Sequence, residues 1–310
     1  MSEVRGPSAA TSTRIPDYPL DRPGEPVIHA GPRQSPRIVS VPSDNTVHEI
    51  ELAEGRDLFE ALTGCLDSSG TQGLMVEFRS GEFGRTTYVH PAYGPDAAHP
   101  MSFTDHIDVA GPNRLRRASA TVGTKDGAPF AHIHASWTDA GGQVRGGHLL
   151  PGTLVGPAGL NLRVNALADA RLLSQVDPET GFSAFAPQPA QSTPAQVVDS
   201  PDAVVSRVRP GEILDEAVIA VCRTAGFASA EVSASLGSTT GAVLVDGTAP
   251  WPAVEFTHLA GTVSGADGDD PQLRLEAEVV DVDGVVHSGE LAPGANPVAV
   301  TFELFVRRLG

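Results

Sequence analysis

Several absences narrow the identity of this chain. Only two cysteines, Cys65 and Cys222, occur among 310 residues. Two are too few for a disulfide scaffold, and neither lies in a CxxC motif. Both fall in segments of helical periodicity, where a buried free thiol is expected. Aromatic residues make up 5% of the chain, which leaves little stacking surface for bases. Basic residues number 21 against 38 acidic ones, for a formal net charge of -17. A surface of that sign repels phosphate backbones, so nucleic acid is disfavoured as a partner. No apolar run approaches the roughly 18 residues that span a bilayer. The opening MSEVRGPSAATSTRIPDYPL lacks the apolar stretch of a signal peptide. A cytoplasmic protein without a membrane partner is expected. There is no Ser or Cys nucleophile motif, no P-loop and no dinucleotide fingerprint. Gly81-Glu-Phe-Gly84 lacks the strand–helix context that such a loop needs.

Glycine (33) and proline (26) are abundant instead, and they punctuate the chain. Residues 1–46 read as a flexible N-terminal arm and residues 186–202 as a linker rich in Pro, Ala and Gln. Two blocks remain, 47–185 and 203–310, and they repeat each other. Each opens on a glycine and a helical pattern: Gly55-Arg-Asp-Leu-Phe-Glu-Ala-Leu in the first, Gly211-Glu-Ile-Leu-Asp-Glu-Ala-Val in the second. Each continues through β-type runs, a closing hairpin and an apolar final strand. This order predicts an α+β fold of two repeated domains, each a mainly antiparallel sheet packed with a helix.

The hairpins carry the chemistry. Three of the ten histidines fall between residues 132 and 148. His132 and His134 stand two apart on a strand and so share a face. Asp139 and Gln143 can close a three-residue loop with Gly142 at the left-handed position. That register sets His134 directly opposite His148, with His132 diagonal to it, at about 5 Å and 7–8 Å between Cβ atoms. Three imidazoles so placed can converge on one ion. Zn²⁺ suits them best, with Fe, Mn, Ni or Cu as other candidates, and three protein ligands leave a position open. The alternative is three unconnected histidines on a polar sheet face. In the second block the same positions hold Arg274, Glu276 and Glu290. They read either as an ion-pair cluster or as a second polar pocket. Arg114 and Arg117 are candidates for gripping an anionic substrate bidentately, with pairing to the chain's own acids as the other reading. The stretch His90-Pro-Ala-Tyr93 to His99 reads as a loop that can cover a pocket on the sheet.

The pattern His132-x-His134 followed by Gly-Gly-His148-Leu-Leu-Pro-Gly-Thr resembles the PPC domain of plants and prokaryotes, also called PCC or DUF296. Leu259-Ala-Gly-Thr-Val and the helix after Gly55 resemble that family too. The resemblance spans both blocks and implies an α+β sandwich that assembles into trimers. In some prokaryotic members it implies a zinc ion on the equivalents of His132, His134 and His148. The plant members carry AT-hooks, but no Arg-Gly-Arg-Pro core occurs here; Asp21-Arg-Pro-Gly is the nearest approach. The expectation is therefore a homo-oligomeric, tandem, prokaryotic-type protein with one divalent-metal site per chain and a small-molecule ligand. The leading function is a metalloenzyme, a hydrolase or a hydratase/isomerase, acting on a small anionic or carbonyl metabolite. The alternative is a non-catalytic metal- or ligand-binding module that regulates through oligomerisation. No residue stands out as the proton-transfer group.

Overall fold

The computed structural model describes residues 22–190 and 200–310. Residues 1–21 of the predicted arm and 191–199 of the predicted linker lie outside the described residues. Among the described residues no helix is long and apolar enough to cross a membrane.

A short strand, β1 (Ile38–Ser43), precedes the first repeat. That repeat runs β2 (Asn45–Leu52), α1 (Leu58–Ser69), β3 (Leu74–Val89), β4 (Pro91–Asp96), β5 (His99–Phe103), β6 (Ile107–Lys125), β7 (Ala128–Thr138), β8 (Val144–Leu149) and β9 (Leu154–Leu167). A hairpin of β10 (Ala170–Val176) and β11 (Ser183–Pro189) follows. The second repeat runs β12 (Ala203–Val208), α2 (Leu214–Ala225), β13 (Ser229–Val232), β14 (Leu236–Thr239), β15 (Ala242–Leu244), β16 (Gly247–Ala249), β17 (Val254–Ser264), β18 (Gln272–Val280), β19 (Val286–Glu290) and β20 (Val298–Arg308). One eight-stranded sheet is ordered β11-β10-β6-β7-β8-β3-β9-β2, the other β1-β12-β20-β13-β17-β18-β19 with β14 against β17 and β20. Pairing is antiparallel apart from a short parallel contact of β10 with β6.

Both helices form where the sequence places them. Asp57 caps α1 by accepting from the Phe59 and Glu60 amides, and Gly70 ends it in the left-handed conformation. One face then buries Leu58, Ala61, Leu62, Cys65 and Leu66. In α2 no side chain caps the start, but Asp215 and Glu216 complement the helix dipole there. Each repeat has its own core around its helix. A third core joins the repeats, with Met75, Leu172 and Phe185 against Val205, Leu236 and Phe305.

The segment before residue 46 is not irregular throughout. Ile38-Val-Ser-Val forms β1, which pairs with β12 of the second repeat, Val41 opposite Val205. Six residues that include a proline show too little periodicity to be read as a strand alone. The open edge of β12 supplies the missing partner.

A buried ion network also ties the repeats. Asp177, just beyond β10, accepts from Arg207 at 2.8 Å and Arg209 at 2.6 Å. Arg37 bridges Glu179 at 2.7 Å and Glu212 at 3.1 Å. This network pins the β10–β11 hairpin onto the second repeat. Burial pushes the Asp177 carboxyl up. The Arg207 charge and the bonds from Arg209, the Glu179 amide and Arg207 outweigh it and hold the group below its ordinary value. Replacing Asp177 with Asn strands Arg207 without a counter-charge, and urea unfolding at pH 7 should show a loss of about 3 kcal/mol. A depressed carboxyl stabilises the fold above the unfolded-state value and loses that contribution as pH falls through the folded-state one. The gap between wild type and variant should therefore persist from pH 7 to 5 and narrow below about pH 4.

Candidate metal centre

The β7–β8 hairpin closes through a loop of residues 140–142. The Asp139 amide donates to Gln143 O at 2.9 Å, the Asp139 carboxylate accepts from the Gly141 and Gln143 amides, and Gly142 is left-handed at φ 81°. The register that follows sets His134 opposite His148. The glycines before His148 are required by crowding. A Cβ on Gly147, at φ 152°, would lie 2.1 Å from Val89 O, and one on Gly146 would lie 2.5 Å from Val280 Cγ2 of the second repeat. Small residues let β8 slide between β3 and the other domain, carrying His148 inward.

The three imidazoles meet. Their ring centroids are 4.6, 4.8 and 5.3 Å apart, and one nitrogen from each lies within 4.8 Å of the others. The second repeat supplies what orients them. His132 Nδ1 lies 3.0 Å from both oxygens of Glu303, on β20. His134 Nδ1 lies 3.1 Å from Phe256 O, on β17. A carboxylate and a carbonyl only accept, so both Nδ1 atoms carry a proton, and in the neutral rings both Nε2 atoms are left with the lone pair. Those Nε2 atoms stand 3.0 Å apart. Lone pairs at that separation repel unless a proton or a cation lies between them. Two further buried atoms lack partners at this spot, His148 Nδ1 and Glu255 Oε2. Glu255 Oε1 is 3.3 Å from His134 Nε2 and 3.9 Å from His148 Nδ1. Orphaned donors and acceptors in a buried place call for an occupant. A cation satisfies this set: imidazole nitrogens converging from one side, carboxylates balancing the charge, and an outer partner fixing two of the rings.

Electrostatics favour a positive charge beside Glu303, either a proton shared between the Nε2 atoms or a cation in its place. Burial pushes His132 down, but the charge and hydrogen bond of Glu303 more than reverse it, so His132 ends above its ordinary value. Burial pushes Glu303 up, and His132 brings it below its ordinary value. Burial first, then the charges of His132, His134 and Lys125, hold His148 well below its ordinary value.

A cavity of about 240 Å³ opens beside the rings, lined also by Glu255, Glu303 and an apolar wall that includes Met101, Phe103, Phe130 and Phe185. Met101, Phe103, His148 and Phe182 also border a larger outer cleft, which gives the cavity a route to solvent. The stretch after His90 forms the β4–β5 hairpin, and Pro91, Met101, Ser102 and Phe103 from it wall the cavity.

Other residues singled out in the sequence lie elsewhere. Glu276 and Glu290 face each other across β18 and β19, and Arg274 bonds them at 3.0 and 2.9 Å. This cluster is an ion-pair trio, with the Arg274 side chain 67% exposed. Arg114 and Arg117 sit on β6 and do not line the cavity. Their neighbour Arg116 reaches Glu278 of β18 at 3.1 Å. The sequence reading missed Glu255 and Glu303. Their only local signal is an acid within an otherwise apolar strand, Ala253-Val-Glu255-Phe and Val300-Thr-Phe-Glu303-Leu.

The sequence profile of the Plants and Prokaryotes Conserved (PCC) domain matches residues 39–162 and again 196–310. The chain belongs to the PCC family. It is a tandem PCC protein, with two copies of the domain in one chain. Solved structures similar to it include a metal-containing protein of Archaeoglobus fulgidus, 22% identical, with 47% of this chain and 97% of that one covered at a TM-score of 0.38. Another is a plant- and prokaryote-conserved protein of Pyrococcus horikoshii, 18% identical, with 47% and 94% covered at a TM-score of 0.35. No curated protein matches the chain.

Glu303→Gln keeps the size of the side chain but removes the charge behind His132. Metal affinity, read by competition with a chromophoric chelator, should fall about 10–100-fold, while far-UV circular dichroism stays unchanged. An unaltered affinity would show that Glu303 does not support the ligand.

Proposed function

We propose that this tandem PCC protein is a metalloenzyme that holds one divalent ion, Zn²⁺, on His132, His134 and His148 and acts on a small anionic or carbonyl metabolite. The observation that carries this reading is the pair of outward-tied rings, His132 on Glu303 and His134 on Phe256 O, whose free Nε2 atoms converge beside a cavity with a route to solvent. Neutral imidazoles, with a carboxylate behind one of them, suit zinc. The bound ion would supply Lewis acidity to a carbonyl or an activated water, which favours hydrolysis or hydration/isomerisation. The chain's own residues prepare the place. Glu303 and Phe256 O fix two rings, Gly146 and Gly147 admit the third, and the phenylalanines keep bulk water out of the inner wall. Glu255 is the carboxylate that reaches the cavity without a full set of partners, and it is the residue we assign to receive or return a proton there. A route to solvent favours catalysis over the regulatory alternative, in which a metal sealed at a subunit contact would have a purely structural effect.

Elemental analysis of purified protein tests the reading. Wild type should carry about one equivalent of metal, and His134→Ala and His148→Ala should each lose it. One equivalent surviving both substitutions would remove the site.

A further inference from the structure

Of the 21 basic residues in the chain, only one is a lysine, Lys125, and it lines the cavity. Its seat is rigid. It is the last residue of β6, before a two-residue turn in which Asp126 and Gly127 are both left-handed at φ 52° and 80°. β7 pairs with it on one side through Ala128, and β10 on the other through Ser174. Nζ lies 3.1 Å from Ser183 Oγ and 5.2 Å from the centre of the Phe130 ring. Among the described residues it makes no ion pair, although the chain has an excess of acids. The carboxylates that line the same cavity are turned to the histidines, Glu303 to His132 and Glu255 to His134. A part-exposed ammonium at the edge of a largely apolar wall, with no counter-charge among the described residues, is open to an anion.

The wall between the lysine and the histidines is aromatic. Phe130 and Phe185 stack at 5.7 Å beside Lys125, and Phe103 meets Phe182 at 6.1 Å and His148 at 5.8 Å. Four of the chain's 11 phenylalanines therefore line one cavity. The size is sufficient as well. A cavity of about 150 Å³ holds a benzene ring. The 240 Å³ here leaves space for about three more heavy atoms.

We infer that the cavity binds a small aromatic carboxylate, its ring between the phenylalanine pairs, its carboxylate on Nζ of Lys125 and its far end toward the histidines. The inference rests on the cavity's being the ligand site of the function proposed above, but not on which metal is held. It narrows a small anionic metabolite to a monoanion with a ring. It also assigns recognition of the charge to Lys125 rather than to Arg114 or Arg117.

A single lysine makes the test specific. Reductive ¹³C-methylation of the whole protein labels Lys125 and the terminal amine and keeps the charge on both. Lys125→Met identifies which resonance is which. Benzoate, phenylacetate and 3-phenylpropionate are titrated, with phenylacetamide as the uncharged match and acetate as the anion without a ring. At least one aromatic acid should shift the Lys125 signal saturably. Phenylacetamide and acetate should bind at least tenfold more weakly, and Lys125→Met should weaken the acid at least tenfold by calorimetry while its unfolding midpoint stays put. No saturable shift with any acid overturns the inference, as does equal binding of acid and amide or undiminished binding to the variant. Metal content measured on the same samples separates the two readings. A metal-free sample that still binds acids defeats the metal centre alone, and a metal-loaded sample that binds none defeats the carboxylate site alone.

Discussion

The site depends on one packing event: two strands of the second repeat, β17 and β20, lie against the histidine-bearing face of the first. A free imidazole has two equivalent nitrogens and a ring that turns. Glu303 and Phe256 O remove both freedoms for His132 and His134 by accepting hydrogen bonds from their Nδ1–H groups. The repulsion that remains at the Nε2 atoms is the feature an ion relieves. The first repeat alone would present a histidine patch; covered by the second, it presents a directed set of lone pairs.

Duplication explains the asymmetry between the repeats. Both hairpins fold in the same register, His134 opposite His148 in one and Glu276 opposite Glu290 in the other. One is covered and the other faces solvent. The covered hairpin keeps imidazoles against buried acids. In the open one, Arg274 neutralises two carboxylates in water, where such pairs contribute little to stability. The β10–β11 hairpin contributes the wall residues Ser174, Ser183 and Phe185. The ion network around Asp177 holds that wall in place.

What could be read in the sequence was local. The two helices, the hairpin turn and the pairing of His134 with His148 follow from residues less than twenty apart, whose backbone geometry is nearly forced. Glu255 and Glu303 lie more than a hundred residues from the rings they serve, and nothing in their own strands says which face they meet. The strand Ile38–Ser43 was hidden for the same reason, since its partner β12 belongs to the other repeat. Lys125 was hidden differently. A single lysine carries no pattern of its own, and its meaning appears only where the fold sets it beside four aromatic rings.

The central claim is that the first repeat supplies the ligands and the second orients them. Anomalous scattering from crystals of the metal-loaded protein, recorded on both sides of the zinc edge, tests it most directly. The account predicts one peak per chain, bonded to the Nε2 atoms of His132 and His134 and to His148, with Glu303 on the far side of the His132 ring. A peak at Arg274, Glu276 and Glu290, or a bound ion with His132 turned away from Glu303, would contradict it.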